Sequence, residues 1–221
     1  MGFGFVGAYN YLYEKNMHLE IKNILGCSVG SLMGLVISLG YTSKEIEGIT
    51  LGMDTSKMID KDNNFLDIID NLGYDKGDKL IRLTKILIKK KCENEDITFK
   101  EHFKLFKKKI IVVGSNIDKV QDIYFNYKTH PNMKIWEAIR ISCSIPVLFT
   151  PYKYEEDLYV DGALNNPCPI NYFKDQDKTL GFILEKSLEN NKTTDLKSYL
   201  SNIVFYNLRI NKKRKIKKKI V

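Results

Sequence analysis

Two short stretches of the chain combine residue types able to do chemistry: Gly26-Cys27-Ser28-Val29-Gly30, and Asp161-Gly162. The first has the pattern G-x-S-x-G. A serine set between glycines where a strand stops and a helix begins is held on a sharp turn in a strained backbone conformation, and its hydroxyl is pushed out of the end of the sheet. A Cβ at either Gly26 or Gly30 is expected to collide with neighbouring backbone. The following helix turns its free N–H groups and the positive end of its dipole toward any oxyanion formed there. The plainer alternative is that small residues merely let a helix pack closely on a sheet.

A nucleophilic serine needs a base, and histidine is the usual one. The three histidines are His18, His102 and His130. His18 falls at a helix–strand junction, His102 within the charged run KEHFKLFKKK, and His130 before Pro131 in an expected turn. All three read as surface residues, and none has a carboxylate placed by the sequence to orient it. Asp161 is the better partner. It closes the apolar run Leu158-Tyr159-Val160 at a turn marked by Gly162, with Asn165, Asn166 and Pro167 behind it. Its carboxylate is therefore expected at the end of a strand, where open α/β sheets bind ligands. The competing reading is an ordinary Asp-Gly turn whose carboxylate bonds its own backbone.

The elements that must position these groups follow from periodicity. Phe5, Ala8, Tyr9 and Leu12 fall at helical spacing, so a helix is expected to open the chain and end near Asn16. A strand over Ile21–Leu25 and a buried helix over Val29–Leu39 flank Ser28. TSKEIEGI predicts another helix, with Thr42 or Ser43 as its N-cap and an acidic residue in its first turn. Met53 to Lys109 reads as mainly helical, most firmly over Asp78–Lys91, where Leu80, Leu83 and Leu87 are in register. KIIVVGS, Lys109–Ser115, is a β-branched run suited to a strand covered on both faces. Asp122–Tyr127 predicts its hairpin partner, Met133–Ser142 a helix, Lys178–Leu184 a further strand and Leu196–Leu208 a last helix. Strands alternating with helices predict an α/β sandwich with a largely parallel sheet.

The chain has 221 residues, 43% hydrophobic and 28% charged, as befits one soluble globular domain. Its formal charge of +8 sits entirely in Arg209–Val221, RINKKRKIKKKIV, and the body before it is neutral. The expected division is thus a domain over residues 1–208 and a solvated basic tail over 209–221. A neutral body argues against specific nucleic-acid binding. A basic tail suits contact with an anionic membrane surface, where each Lys or Arg contributes on the order of 1 kcal/mol. Cys27, Cys92, Cys143 and Cys168 are scattered, with no C-x-x-C pair, and read as reduced thiols of a cytoplasmic protein. No secretory signal is expected, and the uncharged run Ile24–Gly40, with four glycines and three serines, does not read as a membrane span.

Together these segments make the chain resemble the patatin-like phospholipases. The likeness is carried, in order, by GFGFVGAYNYLYEKN, ILGCSVGSLMGLVISLGYTSKEI, VVGSNI, WEAIRISCSIPVLFTP and YVDGALNNPCPI. The resemblance implies a three-layer α/β/α fold and a lipid acyl hydrolase of phospholipase A type that works with a Ser-Asp dyad, without cofactor or metal. Ser28 is then the nucleophile and Asp161 the base, with Gly26, Gly30 and Gly162 as motif glycines. The family places a strand and a Gly-rich loop, G-G-G-x-[RK]-G, before its first helix, and the loop's backbone N–H groups form the oxyanion hole. Gly2, Gly4 and Gly7 spell G-x-G-x-x-G with Val6 in the basic position. In the preferred register, Gly2 is instead the last glycine of the loop and GFGFVGAYNYL the helix behind it. Most of the loop is then missing, leaving the N–H groups of Gly2 and Val29 as donors. Two functions follow: a phospholipid or acyl-ester hydrolase, or a catalytically silent lipid-binding protein of the same fold.

Overall fold

The computed structural model describes residues 3–52, 71–175, 177–184, 193–194, 198–200, 202–203 and 206. Their organising element is β3, Lys109–Asn116, whose Ile111, Val112 and Val113 are completely buried. The β-branched run expected to be covered on both faces is therefore covered on both. Around it stand α1 (Phe3–Glu14), β1 (Asn23–Cys27), α2 (Val29–Ser38), α3 (Ser43–Gly52), β2 (Gly73–Asp75), α4 (Asp78–Lys89) and α5 (Phe99–Phe106). After β3 come β4 (Gln121–Phe125), α6 (Ile135–Ser142), β5 (Val147–Phe149), β6 (Tyr152–Tyr154) and β7 (Asp157–Asp161).

The α/β fold is the expected one, and among the described residues its central sheet is mixed. β1 pairs with β3 in parallel, while β3–β4, β3–β7 and β6–β7 are antiparallel. The physical reason is connection length. β3 turns into β4, and β6 into β7, through hairpins too short for a crossover, whereas β1 and β3 are separated by helical chain. A second, two-stranded parallel sheet joins β2 to β5; neither of its three-residue strands shows a legible period in the sequence.

Helix starts follow their local chemistry. Thr42 and Glu45 form the expected reciprocal cap of α3: the Thr42 N–H donates to Glu45 Oε2 at 2.7 Å and the Glu45 N–H to Thr42 Oγ1 at 3.2 Å. α2 and α6 lie on the sheet face defined by Ile24, Gly26, Val112 and Gly114. A Cβ on Gly34 of α2 would touch Ile24, and one on Gly114 would overlap Ile141 of α6. The core between them is continuous, from Val6 and Tyr9 of α1 through Leu35 and Leu39 to Ile139 and Ile141.

Two expectations are corrected. Lys178–Leu184, expected as a strand, takes no strand conformation, and its Leu180 is 60% exposed. A short apolar run does not by itself make a strand, because β structure is stabilised by cross-strand neighbours more than by intrinsic preference. His102 is not a surface residue but completely buried: its Nε2 lies 2.9 Å from Ser38 Oγ on α2, and its ring packs on Phe106. It occupies the core-facing side of an amphipathic helix whose other faces supply the flanking charges. Gly2, residues 53–70, most of Leu196–Leu208 and the tail 209–221 lie outside the described residues.

Candidate active site

Ser28 joins β1 to α2 with φ 55° and ψ −135°, a left-handed φ that a side chain adopts only under constraint. Hydrogen bonds on both sides supply the constraint. Its N–H donates to Ser142 Oγ at 2.9 Å. Its carbonyl accepts the Ser31 N–H at 2.8 Å and the Ser31 hydroxyl at 2.6 Å. The Ser28 side chain makes no capping bond, although the residue stands at the N-cap of α2. The backbone is thus pinned while the hydroxyl is left over.

Gly26 is required by contact: its Cβ would lie 2.4 Å from both the Gly30 carbonyl and Ser31 Cα. Gly30 is not. Among the described residues, a Cβ there would meet only the Phe5 ring, at 3.7 Å, which is ordinary contact. The expectation that both glycines are sterically obligatory holds for the first alone, because the tight approach is of strand to helix backbone and Gly30 faces a side chain. Gly162 belongs with Gly26, as its Cβ would come within 2.7 Å of the Val113 carbonyl.

The pairing pattern on β3 brings Asp161 to Ser28. β4 occupies one edge of β3 over Val112–Asn116, so β1 and β7 must share the other. β1 runs up that edge until Cys27 pairs with Val113, and β7 runs down it until Asp161 pairs with Gly114. The two strands meet end to end across adjacent residues of β3. Asp161 accordingly does not project from an open sheet end; it is 2% exposed. Its N–H donates to the Ser144 carbonyl at 2.9 Å, so the last residue of α6 holds Ser28 through Ser142 and the segment just after it holds Asp161 through Ser144.

Both readings of the Asp161 carboxylate prove compatible. Oδ1 makes the turn bond, accepting the Ala163 N–H at 2.9 Å, and the Cys27 thiol lies 3.9 Å from the same oxygen. Oδ2 is buried and accepts no hydrogen bond. Burial drives the carboxyl pKa up to about 7, against the smaller lowering effects of the Ser28 hydroxyl beside it, the Ala163 N–H and the Cys27 thiol. The Ser28 hydroxyl is near enough to act on the acidity of Asp161 without sitting in hydrogen-bond geometry. The result is a carboxylate tuned to exchange protons near neutrality next to an unbonded hydroxyl, which is the requirement for general-base activation of an alcohol.

Val29 opens α2 and is 37% exposed; its N–H is one of the helix-start donors with no intrahelical acceptor. The Ser28 N–H is committed to Ser142 and points elsewhere. The histidines are engaged away from this place: His102 with Ser38, His18 stacked on Tyr13, His130 bonded to Thr129 and packed on Phe125. Reading the sequence alone missed Ser142, Ser144 and Arg140, and it took Asn165 only as part of the turn behind Asp161. Asn165 Nδ2 donates to Asp122 Oδ2 at 2.8 Å and so fastens the turn after Asp161 to β4. The Arg140 guanidinium, completely within the core, donates to Ser144 Oγ, the Lys76 carbonyl and Thr150. A buried arginine in an amphipathic helix carries no local signal that separates it from a solvated one.

With this geometry in hand, likeness to known proteins becomes decisive. The profile of the family described as Patatin-like phospholipase matches residues 2–174. The chain belongs to the patatin-like phospholipase family. It is 33% identical over 167 residues to "Probable lipid hydrolase 463L" of Invertebrate iridescent virus 6, covering 75% of this chain and 57% of that protein. An uncharacterized protein of Acanthamoeba polyphaga mimivirus is 32% identical over 209 residues, covering 93% of this chain and 68% of its own length. The chain thus spans about three fifths to two thirds of these curated relatives. Among solved structures, VipD from Legionella pneumophila superposes with a TM-score of 0.55 at 18% identity, over 73% of this chain and 43% of that one, a likeness of fold. Among the described residues, no helix is long and apolar enough to cross a membrane.

Proposed function

We propose that this patatin-like chain is a lipid acyl hydrolase of phospholipase A type, with Ser28 as nucleophile and Asp161 as general base. The observation that carries the reading is the buried Asp161 carboxyl, held near neutral pKa with Oδ2 unbonded beside a serine whose hydroxyl caps nothing. Ser28 Oγ attacks the ester carbonyl and passes its proton to Asp161. The Val29 N–H faces the oxyanion, and collapse expels the alcohol, which takes the proton from Asp161. Water then gives a proton to the regenerated carboxylate and attacks the acyl-enzyme. The fatty acid leaves as Ser28 recovers its proton. Family membership and the lipid-hydrolase name of the iridescent virus relative support a lipid substrate. The test is turnover of a short-chain ester and of phospholipid vesicles by the purified chain; Ser28→Ala is expected to abolish it, and full activity in that variant would refute the assignment.

One observation favours a second reading, a catalytically silent lipid-binding protein. With the Ser28 N–H bonded to Ser142, the main-chain donors left beside the serine are those of the first turn of α2, Val29 among them, and removing an oxyanion donor costs about 10² to 10³ in rate. That reading expects binding to vesicles in flotation with no fatty-acid release.

A further inference from the structure

Cys27, the residue before Ser28, does more in this fold than fill a position between two glycines. It ends β1 opposite Val113, and its Sγ lies 3.9 Å from Asp161 Oδ1, the oxygen that also accepts the Ala163 N–H. Oδ2 of the same carboxylate is buried without a partner. We propose that Cys27 is a positioning residue for the Ser28–Asp161 pair: its thiol and the Ala163 N–H together fix Oδ1, leaving Oδ2 as the atom that takes the serine's proton. The proposal deepens the reading of Asp161 as the base and rests on it.

The surroundings keep the thiol in this role. Burial first, then the neighbouring Asp161, Cys143 and Asp122, raises the pKa of Cys27 well above that of a free thiol. It therefore stays protonated, and a donor, throughout the range in which Asp161 titrates. The other titratable groups around the pair are Cys143, Tyr124 of β4, whose hydroxyl burial also keeps protonated, and Arg140, which acts on Cys143 rather than on Asp161. A thiol is a weak donor. It can orient a carboxylate without pulling the pKa back toward the ordinary carboxylate range, whereas a strong donor in the same place would leave a poor base.

The experiment is a titration of Asp161 itself, by ¹³C NMR of protein labelled at the aspartate carboxyl carbon, with the signal assigned by its loss in Asp161→Asn. Cys27→Ala removes the donor, and Cys27→Val removes it while keeping the space filled against water. In both, the midpoint is expected to rise by about half a pH unit, the size of one weak neutral hydrogen bond. The acid limb of the kcat/KM profile should rise with it, while Cys27→Ser, which restores a donor, should lie below Cys27→Ala. A midpoint unchanged from wild type in both the Ala and Val variants would overturn the proposal. The titration reads out even in a chain without turnover. If the midpoint moves as expected while Asp161→Asn still hydrolyses ester, the base assignment fails and the Cys27–Asp161 contact stands.

Discussion

Replacing Asp161 by asparagine should remove activity and, at neutral pH, make the fold more stable. The folded-state pKa of about 7 lies above the ordinary value of 3.8, so the folded protein holds its proton more tightly than the unfolded chain. Stability from this group is accordingly fully present below about pH 4 and is lost as pH rises toward 7, after which it stays flat. Three pH units at roughly 1.4 kcal/mol each give a cost of about 4 kcal/mol for the ionised form above pH 7. Asparagine keeps an oxygen for the Ala163 N–H and removes the charge, but it buries an amide in place of Oδ2, at roughly 1–3 kcal/mol if that amide finds no acceptor. The net expectation is a variant about 1–3 kcal/mol more stable than wild type at pH 8, with the advantage gone by pH 4 and replaced there by the roughly 1–3 kcal/mol cost of the buried amide. Urea unfolding at a series of pH values measures it directly. An Asp161→Asn protein no more stable than wild type at pH 8, or one whose advantage persists at pH 4, would refute the argument that burial sets this pKa.

Other expectations are equally direct. Wild-type kcat/KM for a soluble ester should rise with pH through about 7, because Asp161 must be ionised to accept the serine proton; a limb near the ordinary carboxylate range would exclude it as the base. Gly26→Ala should destabilise the chain by about 3 kcal/mol, since its Cβ would meet backbone at 2.4 Å, whereas Gly30→Ala should be neutral or stabilising by up to about 1 kcal/mol; chemical denaturation separates the two. Arg140→Lys should cost roughly 2–4 kcal/mol, as one ammonium cannot serve the Lys76 carbonyl, Ser144 and Thr150 together, and the loss would appear as a lower urea midpoint.

Some features were legible from a handful of adjacent residues. The Ser28 corner was predicted because a glycine two positions before a serine, at the change from strand to helix, answers a steric need that is local. The Thr42–Glu45 cap and the doubly covered β3 are likewise written in a few neighbouring side chains. Where the deciding contact is distant, the same reasoning failed. Gly30 looks like Gly26 in sequence, but only packing shows that one faces backbone and the other the Phe5 ring. His102 sits among lysines, yet the turn of α5 points it into the core against Ser38. Lys178–Leu184 is rich in apolar residues, yet among the described residues it takes no strand conformation.

By itself the sequence determined the two candidate residues, Ser28 and Asp161, the bends that carry them and the family to which the chain belongs, because each depends on the conformational limits of a few consecutive residues. Only the tertiary structure decided that β1 and β7 end head to head on one edge of β3, that the Asp161 carboxyl is sealed from water, and which of its oxygens stays unbonded. Register between strands so far apart along the chain, and the desolvation of a charge, are sums over many remote contacts; no window of neighbouring residues contains them.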